Sequence, residues 1–77
     1  MNLWIRSQDK SQFHKVYDVF IAKFSDVETG KWGVFVNHTT FGYYKTEERA
    51  LEILDEIETM LFENFNESCL VYEMPKE

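Results

Sequence analysis

The stretch TEERALEILDEIETMLFENF, residues 46–65, carries the strongest structural signal in the chain. Thr46 precedes Glu47 and Glu48, the arrangement typical of a helix N-cap followed by an acidic first turn. The apolar side chains then recur every three or four residues and form one helical stripe: Ala50, Leu54, Ile57, Leu61 and Phe65. This pattern predicts one long amphipathic helix, with Asn64 and Asn66 as candidate C-terminal breakers.

Two apolar flanks widen this stripe, with Ile53 and Met60 on one side and Leu51 and Phe62 on the other. A single sheet face covers only part of so broad an apolar arc, and exposed apolar flanks often mark an interface. A short chain also gains stability by dimerising. We therefore expect a homodimer, formed through an apolar helix flank or through a sheet edge.

The remaining arc of the helix is acidic. Residues 47–67 carry eight acidic side chains and one basic one, whereas residues 1–46 carry six basic and four acidic ones. The acidic arc can be a solvated face, a patch that docks into the basic groove of a nucleic-acid-binding protein, or a seam between copies of the chain. For the second alternative the candidate binding residues are Glu52, Asp55, Glu56 and Glu63.

Strand-like stretches surround the helix. Alternating or β-branched and aromatic residues predict strands at residues 2–6, 13–24, 32–37, 41–44 and 68–74. Both faces of residues 13–24 are largely apolar, which favours a central strand, and a turn ending at Gly30 follows it. We expect a single α+β domain spanning residues 1–77, of order β-β-β-β-α-β. Its antiparallel sheet has four to five strands, and the helix packs on one face.

The segment LWIRSQDK, residues 3–10, passes from apolar to polar without a Gly or Pro. One interpretation is a strand that enters a solvated turn, with Arg6 paired to a carboxylate such as Glu73. The other is a recognition surface, because hydrogen-bonding groups of several geometries follow an aromatic anchor. The second interpretation makes these residues a binding site: Trp4, Arg6, Gln8, Asp9 and Lys10.

Three segments together carry a resemblance to a family: LWIRSQDK at 3–10, GYYKTEERALEILDEIE at 42–58 and VYEMPKE at 71–77. They resemble small proteins, without an assigned activity, of bacteriophages and of Gram-positive bacteria that carry prophages or other mobile elements. The resemblance covers 32 of the 77 residues and leaves residues 11–41 outside it. It implies a mobile-element context and supplies no mechanism.

Catalytic and metal chemistry find little support in the sequence. His14, His38 and Cys69 are far apart and match no ligand spacing, and no serine or cysteine lies in a nucleophile motif. Cys69 sits in an apolar strand, where a thiol is usually a small buried hydrophobe. We expect no enzyme activity, no metal and no cofactor.

The net charge and the lengths of the apolar runs indicate which partners and which cellular location to expect. The net charge of −6 argues against direct nucleic-acid binding. No apolar run reaches the roughly 20 residues that span a bilayer, and no secretory leader is recognisable. With a single cysteine, these features favour the cytoplasm of the host cell, with no membrane association.

Three functions remain open. The first is a non-enzymatic accessory protein that binds and occludes a host protein, for example a defence or replication component. The second is an oligomeric binder that sequesters a small nucleotide signal. The third is a structural or regulatory module of a phage complex.

Overall fold

The computed structural model describes residues 2–23, 31–64 and 66–77. Six strands and one helix follow one another along these ranges: β1 (Asn2–Arg6), β2 (Phe13–Lys15), β3 (Val19–Lys23), β4 (Trp32–Val36), β5 (Thr39–Tyr44), α1 (Glu47–Glu63) and β6 (Cys69–Glu73). The α+β class and the single long helix agree with the prediction. The turn expected at residues 25–30 and the Phe65 end of the helical stripe lie outside the described residues.

The strands form two sheets of three within the described ranges, in place of the one antiparallel sheet that we expected. The first sheet has the order β2-β1-β6 and the second has the order β3-β4-β5. Strands β1 and β6 run parallel, with Trp4 opposite Val71, and the other pairs are antiparallel. Parallel strands need a long connection between them, and here the chain forms the second sheet and the helix before β6 returns beside β1.

The predicted central strand at residues 13–24 is instead divided between the sheets, and both of its pieces lie at sheet edges. The division is held by Asn37, whose side-chain oxygen accepts the backbone N–H groups of Tyr17 and Asp18 at 2.7 and 3.2 Å. Its amide nitrogen donates to the carbonyl of Lys15 at 2.7 Å. Asn37 and His38 both have positive φ, as a two-residue hairpin turn between β4 and β5 requires.

The helix begins as the sequence predicts. The Thr46 hydroxyl accepts the Arg49 N–H at 3.1 Å, and Asn64 caps the other end by donating to the Met60 carbonyl. Its most buried side chains are Ala50, Ile53 and Ile57, whereas Leu54 is only half-buried. The helix is therefore rotated toward the Ile53 flank relative to the stripe that we expected.

One core lies between the helix and the inner faces of both sheets. The helix lies against β3, β4 and β5. The buried cluster includes contributions from every described element except β2 and β3. Half-buried Val19 and Ile21 of β3 pack against it, as does Val16, which follows β2. Its members are Leu3, Ile5, Val34, Val36, Phe41, Tyr44, Ala50, Ile53, Ile57, Tyr72 and Met74. This leaves the opposite face of the first sheet free of covering elements among the described residues.

Candidate binding surfaces

The outer face of the first sheet presents an aromatic patch. Strand alternation and register place eight side chains on it: Asn2, Trp4, Arg6, Phe13, Lys15, Cys69, Val71 and Glu73. The rings of Trp4 and Phe13 stack with their centroids 5.3 Å apart and an interplanar angle of 20°. Phe13 is 40% exposed and Val71 is 51% exposed. Large apolar groups exposed together on one face are typical of an interaction surface.

Arg6 covers one end of this patch. Its guanidinium carbon lies 5.1 Å from the centroid of the Phe13 ring, within cation–π range. Nη1 donates to the Lys10 carbonyl at 3.3 Å, and Nε is buried with no hydrogen-bond partner among the described residues. A buried donor without a partner costs roughly 1–3 kcal/mol, so this arginine is placed at some expense of stability. Nη2 makes no hydrogen bond to another described residue.

The charge around the patch is positive, in contrast to the whole chain. Arg6, Lys10 and Lys15 surround it, and Glu73 is the one carboxylate that the described strands place on the face. Glu73 lies 3.6 Å from the Lys10 ammonium, so the expected Arg6–Glu73 pair is replaced by Lys10–Glu73. The patch therefore combines stacked rings with a basic rim.

Gln8, a predicted binding residue, instead connects separate segments of the fold by side-chain hydrogen bonds. Its side-chain oxygen accepts the Tyr43 N–H at 2.8 Å, and its amide nitrogen donates to the Tyr43 carbonyl at 3.1 Å and to the Lys76 carbonyl. Its own N–H donates to the carbonyl of Phe41 at 2.7 Å. Gln8 thus joins the loop after β1 to β5 and to the C-terminal segment, and its polar atoms are already used.

Asp9 is likewise engaged within its own loop. One carboxylate oxygen accepts the Ser7 and Ser11 hydroxyls and the Ser11 N–H, at 2.7, 2.6 and 2.9 Å. These hydrogen bonds, chiefly those from Ser11, lower the pKa of Asp9 from its usual 3.8 to about 2. Gln8 and Asp9 are therefore engaged within the fold, Gln8 across elements and Asp9 in its own turn, whereas Trp4 and Arg6 belong to the outer-face patch.

The acidic arc of the helix is partly committed to internal contacts. Glu52 pairs with Arg49 at 3.2 Å, and Glu56 accepts the Tyr72 hydroxyl at 2.5 Å. Burial, followed by this hydrogen bond, raises the pKa of Tyr72 above its usual range. Asp55 and Glu63 are exposed and make no ion pair with another described residue. The four predicted residues lie along one shallow groove, but they do not act as equivalent free charges.

Sequence reasoning missed Phe13 and Val71 as members of the patch. Phe13 could have been placed there from the hairpin, because residues 6 and 13 flank a short polar loop. Val71 could not, because its position depends on the parallel pairing of β6 with β1. Cys69, expected to be a small buried hydrophobe, is exposed on the same face.

The other described side chains that could bind a metal ion do not cluster at one place. No group of three or more His, Cys, Asp or Glu side chains able to hold a metal ion occurs among the described residues. No helix in the described ranges is long and apolar enough to cross a membrane.

Comparison of this chain with protein-family models, with curated proteins and with solved structures finds no match.

Proposed function

We propose that this chain is a non-enzymatic accessory protein of a phage or mobile element, and that it binds and occludes a host protein through the outer face of its first sheet. The observation that carries the proposal is the stack of half-buried Trp4 on exposed Phe13, with the Arg6 guanidinium over the Phe13 ring. Trp and Arg are enriched among residues that dominate binding energy. The mobile-element context rests on the resemblance alone and places the protein in the host cytoplasm.

The chemistry of the face defines the surface that it fits. Stacked rings and Val71 favour an apolar side chain of the partner, while Arg6 and Lys15 favour a neighbouring carboxylate. A guanidinium nitrogen without an internal partner can bind such a carboxylate with geometric specificity. The partner is thus a host protein with an apolar surface bordered by acidic residues.

The acidic helix supports docking less well. Two of its four candidate carboxylates are engaged by Arg49 and by Tyr72, which leaves Asp55 and Glu63 as solvated charges. Under this proposal, reversing both charges with Asp55→Lys and Glu63→Lys leaves partner affinity within about twofold of the parent. Loss of binding in that variant would move the interface to the helix.

We also propose a homodimer through the exposed helix flank. Leu51 is 41% exposed and Phe62 is 74% exposed, and both lie on the flank turned away from the buried Ile53. Light scattering at micromolar concentration should give about twice the chain mass of 9.3 kDa, and Phe62→Ser should lower it toward the monomer. A monomeric parent across a hundredfold dilution would contradict this part of the account.

The experiment for the main proposal compares single-residue variants for binding to a target isolated from host lysate with the tagged parent. Phe13→Ala and Val71→Glu should each weaken the measured affinity about thirtyfold, the loss expected for a central residue of an interface. Phe20→Ala is the matched control, because it removes a ring of similar exposure, 38%, that stacks on Phe35 in the second sheet, and it should leave affinity unchanged.

The parent and the three variants must unfold at the same urea concentration. A loss of affinity is then due to the changed surface side chain and not to a loss of folding. Equal affinity of all four proteins would overturn the proposal.

A further inference from the structure

Half of the chain's basic residues line one cleft that shares no residue with the outer face of the first sheet. The chain has eight Lys and Arg residues, and four of them line this cleft of about 620 Å³: Lys31, Lys45, Arg49 and Lys76. Tyr43, Tyr44, Gln8 and Glu77 complete the lining. In a chain with a net charge of −6, so local a concentration of cations requires an explanation.

Side-chain hydrogen bonds hold the walls of the cleft together. Gln8 ties the backbone of Tyr43 to that of Lys76. The Tyr44 hydroxyl donates to the Pro75 carbonyl at 2.7 Å, and Arg49 Nε donates to the Glu77 carbonyl at 2.9 Å. The end of β5, the first turns of α1 and the C-terminal segment are therefore fixed relative to one another. A cleft held in this way is preorganised for a ligand.

Three of the four cations of the cleft are not neutralised within the described part of the chain. Arg49 pairs with Glu52, but Lys31, Lys45 and Lys76 form no ion pair with another described residue. All three are exposed, so their ammonium groups are hydrated point charges that can turn toward a bound anion. Among the described residues of the lining, Glu77 is the one with a carboxylate side chain.

We propose that this cleft binds a nucleotide, with its phosphates among Lys31, Lys45 and Lys76 and its base against Tyr43. The volume lies within the range of small-ligand pockets, which is about 300–1,000 Å³. Lysine ammonium groups bind phosphate, and a half-exposed tyrosine ring gives a base an aromatic surface. A nucleic-acid strand fits less well, because a longer polyanion would meet Glu47 and Glu48 at the adjoining start of the helix.

The test is calorimetric titration of the full chain with ADP, pyrophosphate and adenosine at low salt. The proposal expects ADP to bind more tightly than pyrophosphate, and adenosine to bind weakest. Lys45→Gln should weaken ADP binding about tenfold, and the matched control Lys15→Gln, on the outer face of the first sheet, should leave it unchanged. Both residues are on the protein surface, so neither change endangers folding.

A second variant separates the contribution of the ring from that of the charge. Tyr43→Leu should weaken ADP binding at least fivefold and leave pyrophosphate binding unchanged, because only the base contacts the ring.

Several outcomes would overturn the proposal. They are no heat of binding at millimolar ADP, equal weakening by Lys45→Gln and Lys15→Gln, and adenosine binding as tightly as ADP. Tighter binding of a single-stranded oligonucleotide than of ADP at the same salt concentration would assign the cleft to nucleic acid instead.

Discussion

Replacing Gln8 tests whether this residue holds the fold together or serves a ligand. Gln8→Ala removes three side-chain hydrogen bonds, two to the backbone of Tyr43 and one to that of Lys76. Each such bond contributes roughly 0.5–1.5 kcal/mol net. The partner groups lie near solvent, so water replaces part of this contribution. We therefore expect the free energy of unfolding to fall by about 2 kcal/mol, a large share for so small a domain.

Urea unfolding followed by circular dichroism measures this change, and Gln12→Ala is the matched control. Gln12 is also half-buried and lies in the same loop, but its side-chain amide makes no hydrogen bond to another described residue. We expect the control to remain within about 0.5 kcal/mol of the parent. If both variants unfold at the same urea concentration as the parent, the hydrogen bonds of the Gln8 side chain do not stabilise the fold and the structural role given to this residue is wrong.

Three further outcomes follow from burial and from the pKa shifts. Ile53→Ala should cost about 2–5 kcal/mol in urea unfolding, whereas Leu54→Ala, which truncates a half-buried side chain, should cost at least about 1 kcal/mol less. Equal costs would refute the rotation of the helix. Burial raises the pKa of Tyr44 from 10.0 to about 12, so its contribution to stability should be complete below pH 10 and fall as the pH rises to 12. Tyr44→Phe should make the fall in alkaline unfolding curves smaller, and the part that remains belongs to Tyr72, whose pKa is also raised. The pKa of Asp9 is lowered to about 2, so its stabilisation should be present above pH 3.8 and be lost toward pH 2; an Asp9→Ala curve parallel to the parent's over that range would contradict this.

The helix was predictable because its determinants are local. Thr46 as N-cap, the acidic first turn and the apolar spacing all lie within one segment, and the structure confirms the start and the Asn64 cap. Its rotation toward Ile53 was not predictable, because the apolar arc is broad enough to fit a sheet in more than one orientation.

The division of residues 13–24 between two sheets depends on a distant residue. No Gly or Pro marks the break, because the backbone groups of Tyr17 and Asp18 are satisfied by Asn37, about 20 residues away. A strand pattern alone therefore favours one continuous strand over two.

Only the part of the candidate site that depends on local strand alternation could be predicted from the sequence. Trp4 and Arg6 could be assigned to one strand face by alternation, and the structure places them together on the exposed patch. Gln8 looked equally suited to binding, because its partners Tyr43 and Lys76 are 35 and 68 residues away in the chain. The basic cleft could not be foreseen, since its lysines come from separate segments of the sequence.

Protection of Cys69 from alkylation tests the central claim most directly. This thiol is the chain's only cysteine, is exposed, and lies on the outer face of the first sheet beside Val71. A saturating amount of the isolated host target should slow its reaction with a maleimide at least tenfold. As the control, a thiol introduced at Asp55, in the acidic groove, of a Cys69→Ser variant should react at the same rate with and without the target. Unchanged reactivity of Cys69, together with protection at position 55, would contradict binding through the first sheet and assign the interface to the helix.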